Sequence, residues 1–160
     1  MSLSTFVQTA NGEVGYTEGP NNDTKYGLWF GLNYQPWCSI FVAWCANEAG
    51  ILTTAATASE PNVYKTASVQ TLYNWYASNR RNLTPSTNPS SANYPKVGDL
   101  AFIDGTSNHV GIIVAVSSTS ITTVEGNISD QVTKVTYSMS TLRNSNGNTI
   151  SYLGSNNTHY

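Results

Sequence analysis

The sequence predicts an α+β fold in which helices come first along the chain and an antiparallel sheet follows. Before residue 80, apolar residues recur at helical spacing in three segments. After residue 95, short segments rich in β-branched residues alternate with turn formers. Helices and strands in separate parts of a chain are typical of α+β domains. A length of 160 residues suits one domain with a sizeable core, and we expect residues 1–160 to form it.

Three helices are expected in the first half of the chain. The first has an apolar face made of Leu3, Phe6, Val7, Ala10 and Val14, and Gly15 is its expected end. The second runs from about Pro36 to Ala49, because proline fits the first turn of a helix. The third runs from about Ser68 to Asn79. Between the first two, "TEGPNNDTKYGLWFG" is rich in turn formers and is predicted to be a loop.

Five strands are expected in the second half. Their sequences are "DLAFID", "HVGIIVAV", "SITTVEG", "QVTKVTYS" and "TISYLG". The stretch "VSSTS" joins the second and third of these in a hairpin. The segment "RNLTPSTNPSSANYP", residues 81–95, is predicted to be a surface loop.

Both cysteines of the chain lie in one short stretch, "NYQPWCSIFVAWC", as Cys38 and Cys45. Seven residues of helix separate their Cα atoms by about 10 Å, and a disulfide requires less than about 7 Å. A zinc site is not favoured either, because neither His109 nor His159 lies near a Cys-x-x-Cys pair. The two cysteines are therefore expected to be free.

The positions of the two cysteines differ in chemistry. Cys45 lies inside the expected helix among Phe41, Val42 and Ala46, where burial as a small apolar residue is the default interpretation. Cys38 lies in the first turn, where unpaired N–H groups and the helix dipole stabilise a thiolate. A structural cysteine is the commoner case, so a nucleophile requires a base nearby.

His109 is the candidate base. His159 is the penultimate residue and is expected to be frayed, whereas His109 opens the strand "HVGIIVAV". A histidine at a strand start can also be a simple surface residue. However, the hairpin brings the end of "SITTVEGN" beside His109, and Glu125 and Asn127 share a face there if the strand is still extended. Either one would orient the imidazole of a thiol–histidine pair.

The composition restricts the function classes. Net charge is −2 and 10% of the residues are charged, so no basic stripe indicates nucleic-acid binding. No apolar run reaches the 18 residues of a membrane span. The N-terminal sequence lacks the pattern of a signal peptide, so we expect synthesis in a cytoplasm followed by release through another route.

Five blocks of the sequence, in order, carry a family resemblance. The blocks "EGPNNDTKYG", "QPWCSIFVAWCANEAGI", "YPKVGDLAFID", "NHVGIIVAV" and "VEGN" resemble the CHAP family of cysteine peptidoglycan hydrolases, which is common in bacteriophage endolysins. The likeness extends from about residue 10 to residue 130. It implies a papain-like, NlpC/P60-type α+β fold, with N-terminal helices packed on an antiparallel sheet.

The resemblance also implies roles for individual residues. Cys38 matches the nucleophile, His109 the general base and Glu125 the acid that orients the histidine. Asn127 matches a further polar member of the site, and Gln35 is a candidate for holding the oxyanion.

The implied cofactor, partner and setting are as follows. No cofactor is required, although some members bind calcium just before the cysteine; here Glu18 and Asp23 are the nearby acids. The implied substrate is bacterial peptidoglycan, cleaved by a monomer acting as an amidase or an endopeptidase. A phage lysin made in the host cytoplasm and released, or a virion-associated protein, fits the missing leader. The alternatives are a catalytically silent module that binds the cell wall and a thiol enzyme that acts on another amide.

Overall fold

A computed structural model describes residues 2–157 of the chain. Within these residues four α-helices occupy the first half of the chain. They are α1 (Leu3–Gly12), α2 (Lys25–Phe30), α3 (Cys38–Glu48) and α4 (Val69–Ser78). None of the helices in this part of the chain is long and apolar enough to cross a bilayer.

Eight strands are present in the described residues, and six of them form one antiparallel sheet. The two outside that sheet, β1 (Leu52–Thr53) and β2 (Val63–Tyr64), form a short parallel pair. The sheet contains β3 (Asn82–Leu83), β4 (Leu100–Ile103), β5 (His109–Val116), β6 (Ser120–Ile128), β7 (Gln131–Ser138) and β8 (Ile150–Gly154). Its strand order is β3-β8-β4-β5-β6-β7, which confirms the predicted α+β class and the β5–β6 hairpin.

Helix α3 is the central helix and packs against β5 and β6. Its buried side chains share one cluster with the helix-facing side of the sheet, which includes Phe41, Val42, Cys45, Ile112 and Val124. The opposite face of the sheet has a second buried cluster, which includes Ile103, Ile113, Ile121, Tyr137 and Leu153. The sheet is therefore covered on both faces, and α3 approaches it from one side.

A glycine near the end of β6 allows the first turn of α3 to approach the sheet closely. A Cβ atom at Gly126 would lie 2.8 Å from Cβ of Phe41 and 3.0 Å from the ring of Trp37. Such contacts leave no room for any other residue, so the backbone itself forms the packing surface. This close approach places Cys38, the residue after Trp37, beside the end of the sheet that carries His109.

The helices differ from the sequence prediction at three places. Helix α1 ends at Gly12, so Val14 and the predicted end at Gly15 lie beyond it. The expected loop before Pro36 contains α2, since its turn formers act as caps: Oγ1 of Thr24 accepts the N–H of Gly27 at 2.9 Å, and Gly31 ends the helix at φ +88°. Helix α3 begins at Cys38 rather than at Pro36, because Trp37 has φ −122° and ψ 20°, outside the helical region. Cys38 is thus the first helical residue.

Candidate active site

Cys38 lies at the N-terminal end of α3 with a small exposed fraction, whereas Cys45 is fully enclosed in the core. Cys38 is 9% exposed and Cys45 is 0% exposed, and both thiols are free. Burial raises the pKa of Cys45 well above its usual value, which makes that thiol inert. The side chain of Trp37 does not cap α3, so the N–H groups of the first turn remain available beside Cys38. The sequence-based distinction between the two cysteines matches their positions in the structure.

His109 is the first residue of β5 and connects Cys38 to Glu125. Its backbone is paired with Ile103 of β4, and its side chain is 15% exposed. The imidazole hydrogen-bonds with the Cys38 side chain, and its Nε2 donates to Oε1 of Glu125 at 2.9 Å. Because Nε2 is occupied by Glu125, Nδ1 is the nitrogen available to the sulfur. The three side chains thus form one continuous hydrogen-bonded chain.

The environment of His109 favours its protonated form. Burial lowers the pKa of the imidazole, but the hydrogen bonds to Cys38 and Glu125 and the charges of both groups outweigh burial and raise the pKa of His109 to about 10. The site therefore stabilises an imidazolium between two acceptors. This is the charge distribution that a thiolate nucleophile requires.

Glu125 is a buried carboxylate whose hydrogen bonds come from three side chains. It is 1% exposed. Its Oε1 accepts from His109, and its Oε2 accepts from Thr123 Oγ1 at 2.5 Å and from Tyr137 Oη at 2.6 Å. Burial raises the pKa of Glu125, but the bonds from His109, Thr123 and Tyr137 outweigh burial and lower the pKa below its usual range. The carboxylate is held ionised and pointed at His109.

The sequence analysis did not identify Thr123 and Tyr137. Thr123 precedes Glu125 by two residues on β6, so strand alternation was a signal for it. Tyr137 comes from β7, which pairs with β6, and no local pattern connects it to Glu125. Both hydroxyl groups bind the oxygen of Glu125 that does not contact His109.

A second glycine leaves space for the Glu125 side chain. A Cβ atom at Gly111 would lie 2.5 Å from Cγ of Glu125, closer than real Cβ contacts allow. Gly111 follows His109 by two residues on the same strand. The Glu125 side chain therefore reaches the imidazole by passing over Gly111.

Asn127 does not meet the condition on which its prediction depended. The pairing of β6 with β7 shifts between Glu125 and Ile128, and Asn127 has φ +63°, in the left-handed region. The strand is therefore not extended there, and the two-residue spacing does not place Asn127 on the face of Glu125. A role for Asn127 stays a prediction.

Gln35 and His159 were also considered from the sequence. Gln35 is exposed in the bend that precedes α3, and its part in holding an oxyanion stays a prediction. His159 lies outside the described residues.

The acids considered for calcium bind protein donors. Glu18 Oε1 accepts the indole N–H of Trp37 at 3.0 Å, and its Oε2 accepts the backbone N–H of Asn22 at 2.9 Å. Asp23 Oδ1 accepts from Asn33 at 2.7 Å. Among residues 2–157 no group of three or more acidic, histidine or cysteine side chains is arranged to hold a metal ion. Calcium binding by these two acids stays a prediction, and in the structure Glu18 fixes the tryptophan that precedes Cys38.

Comparison with known proteins identifies the family. The family model described as "CHAP domain" matches residues 29–127, more than half of the chain. The chain belongs to the CHAP domain family. CHAP domains are amidase- or peptidase-type hydrolases of the bacterial cell wall, and peptidoglycan is their substrate class. The matched residues include Cys38, His109 and Glu125 but neither Glu18 nor Asp23.

A solved structure supports the CHAP/papain-like fold. The crystal structure of Ly7917 superposes with a TM-score of 0.52 at 15% sequence identity, over 96% of this chain and 62% of that one. The CHAP chain described here thus spans less than two thirds of the length of Ly7917. At this identity the likeness concerns the fold alone. No curated protein matches the chain.

Proposed function

We propose that this CHAP domain hydrolyses an amide bond in the peptide part of bacterial peptidoglycan, with Cys38 as nucleophile and His109 as acid and base. The observation that carries the proposal is the hydrogen-bonded chain from Cys38 through His109 to the buried Glu125. A nucleophile, a base and a group that orients the base are the parts that thiol catalysis requires.

In the first step, the proton shared by Cys38 and His109 is held on Nδ1 of the imidazolium, and the sulfur attacks the amide carbon. Glu125 keeps the other ring nitrogen protonated and stabilises the imidazolium, as an acid does in related triads. The carbonyl π electrons move to oxygen and give a tetrahedral oxyanion. The backbone N–H groups at the start of α3 are the donors for this charge, and Gln35 is the candidate for a further one.

In the second step, the C–N bond breaks and His109 returns its proton to the leaving amine. A thioester to Cys38 remains. Water then attacks the thioester carbon while His109 takes a proton from it, and collapse of the second oxyanion releases the carboxylic acid and restores Cys38 beside the protonated His109. The raised pKa of His109 suits this cycle, because the imidazolium persists until the amine needs its proton.

The finer parts of the proposal concern the bond and the setting. The same chemistry cleaves either the muramoyl–alanine amide or a peptide bond of the stem or cross-bridge. We propose that residues 1–160 act as one monomeric catalytic domain, as a phage lysin that reaches the wall after release or on the virion.

The test is the loss of turbidity of purified cell walls, combined with mass spectrometry of the released muropeptides. Cys38→Ala and His109→Ala are expected to abolish clearing. Cys45→Ser and Cys45→Ala, once shown to be folded, should keep it, since Cys45 is a core residue. Full clearing by Cys38→Ala would refute the mechanism. Binding to walls without release of new amino groups would indicate a silent wall-binding module instead.

A further inference from the structure

A cavity of about 250 Å³ adjoins the imidazole on the side of Glu125. His109 and Glu125 both line it, and Cys38 is not among its lining residues. Several of its lining residues come from the β4–β5 loop, residues 104–108, and from the β7–β8 connection, residues 139–149. Nothing in the mechanism above uses this space.

The wall of the cavity is polar and rich in side-chain amides. These polar residues are Asp104, Asn108, Asn144, Asn146 and Asn148. Ile128 and Val135 supply an apolar part of the wall. No lysine or arginine lines the cavity in the part of the chain that the structure describes.

Hydrogen bonds within and between the two loops fix the polar lining of the cavity. Asp104 Oδ2 accepts from Asn148 Nδ2 at 2.7 Å, and Asp104 Oδ1 accepts the N–H of Thr149 at 2.9 Å. Asn144 Oδ1 accepts the backbone N–H groups of Asn146 and Asn148, each at 3.0 Å. The two loops are thus tied together before any ligand binds. Preorganised polar groups of this kind are typical of ligand sites.

Two of the lining amide side chains are exposed to solvent, and we call them the rim of the cavity. Asn108 and Asn146 are both exposed, one on each loop. Each side-chain amide offers two donors and one acceptor oxygen, which match the N–H and C=O groups of a peptide.

We infer that this cavity is the subsite for the amine side of the scissile amide, and that it takes a short, uncharged or cationic peptide segment; the inference rests on the proposed function. The leaving nitrogen receives its proton from His109, so the atoms beyond that nitrogen lie beside the imidazole and away from the acyl group on Cys38. The cavity bounded by His109 is the space next to them.

The size and charge of the cavity define the ligand. Its volume is just below the roughly 300–1,000 Å³ that encloses a drug-sized ligand, so it holds a short segment rather than a whole stem. Asp104 and Glu125 are acids at its wall, and His109, the cation that lines it, is already paired with Glu125, which leaves a ligand carboxylate without a free counterion. A neutral or ammonium-bearing segment therefore fits better than an anionic one.

The experiment uses two synthetic substrates that share the acyl side of the bond cleaved in walls. One continues for two residues beyond the scissile nitrogen, and the other ends there as a methylamide. The variants are Asn108→Ala, Asn146→Ala and the double variant, with Asn47→Ala as the control, an exposed asparagine near the far end of α3.

The wild-type protein should cleave the longer substrate with the higher kcat/KM. Each rim variant should lose about threefold to tenfold on that substrate, as expected for one hydrogen bond, and should match wild type on the methylamide. Asn47→Ala should match wild type on both. Equal losses on the two substrates, or none on the longer one, would overturn the subsite while Cys38-dependent cleavage still supported the proposed function. Activity that survives Cys38→Ala would instead refute the proposed function.

A charge series tests the same site independently of any variant. Longer substrates carrying an ammonium group on the amine-side segment should be cleaved at least as fast as the neutral one, and carboxylate-bearing substrates more slowly. A preference for the carboxylate would contradict the inferred chemistry of the cavity.

Discussion

The Tyr137 hydroxyl is predicted to keep Glu125 ionised, and Tyr137→Phe removes that hydroxyl alone. Its oxygen lies 2.6 Å from Glu125 Oε2, a length typical of a hydroxyl that donates to a carboxylate. A hydrogen bond to a charged group contributes about 1.5–3 kcal/mol. Because this bond favours the ionised carboxylate, losing it should raise the pKa of Glu125.

The sign of the stability effect follows from the direction of the shift. The folded pKa of Glu125 is lowered, so its contribution is fully present above the unfolded value of about 4.3 and is lost as pH falls through the folded value. Tyr137→Phe should therefore reduce the free energy of unfolding by about 1.5–3 kcal/mol near pH 7. The difference from wild type should shrink as the pH falls from the unfolded value of about 4.3 to the lower folded pKa of Glu125.

Urea unfolding at a series of pH values measures this difference, and carboxyl-carbon NMR follows the pKa of Glu125 itself. Tyr94→Phe is the matched control, since the Tyr94 hydroxyl makes an exposed bond to the Ser117 carbonyl at 3.4 Å, away from the site. A folded Tyr137→Phe protein with an unchanged Glu125 pKa would refute the reasoning, as would a stability loss equal at all pH values.

Three further predictions concern the same hydrogen-bonded chain. Glu125 contributes to the raised pKa of His109, which is about 10. Glu125→Gln should therefore move the alkaline limb of the kcat/KM profile from near pH 10 to lower pH. An unchanged limb would contradict the effect of Glu125 on the imidazole pKa. Gly111→Ala should push the Glu125 side chain aside and lower kcat/KM by about a hundredfold in wall-clearing assays, whereas Gly12→Ala, where a Cβ meets nothing within 4 Å, should have no effect. Iodoacetamide should label Cys38 in the native protein and Cys45 only after unfolding, as peptide mass spectrometry will show; labelling of native Cys45 contradicts its burial.

The sequence was sufficient to place the main members of the site because each occupies a distinctive position. Cys38 follows a proline at a helix start, and His109 and Glu125 are placed side by side by one short hairpin. These are local patterns with direct geometric consequences.

The supporting residues required information that no local pattern contains. Tyr137 reaches Glu125 through the register of β7 on β6, which depends on the pairing of whole strands. The prediction for Asn127 depended on an extended strand, and its positive φ, at a place where the strand pairing shifts, shows that the backbone is not extended there. The short helix α2 was missed because its caps are the same residues that form turns.

The contact at Gly126 sets how closely the helical layer and the sheet approach each other beside the candidate site. The sulfur belongs to the helical layer and the imidazole to the sheet, so their separation depends on how closely α3 is seated on β6. A small increase in the distance between α3 and β6 would separate the sulfur from the imidazole while every helix and strand stayed intact. On heating, activity should therefore be lost at a lower temperature than the circular dichroism signal. A larger side chain at Gly126 should lower the temperature at which activity is lost.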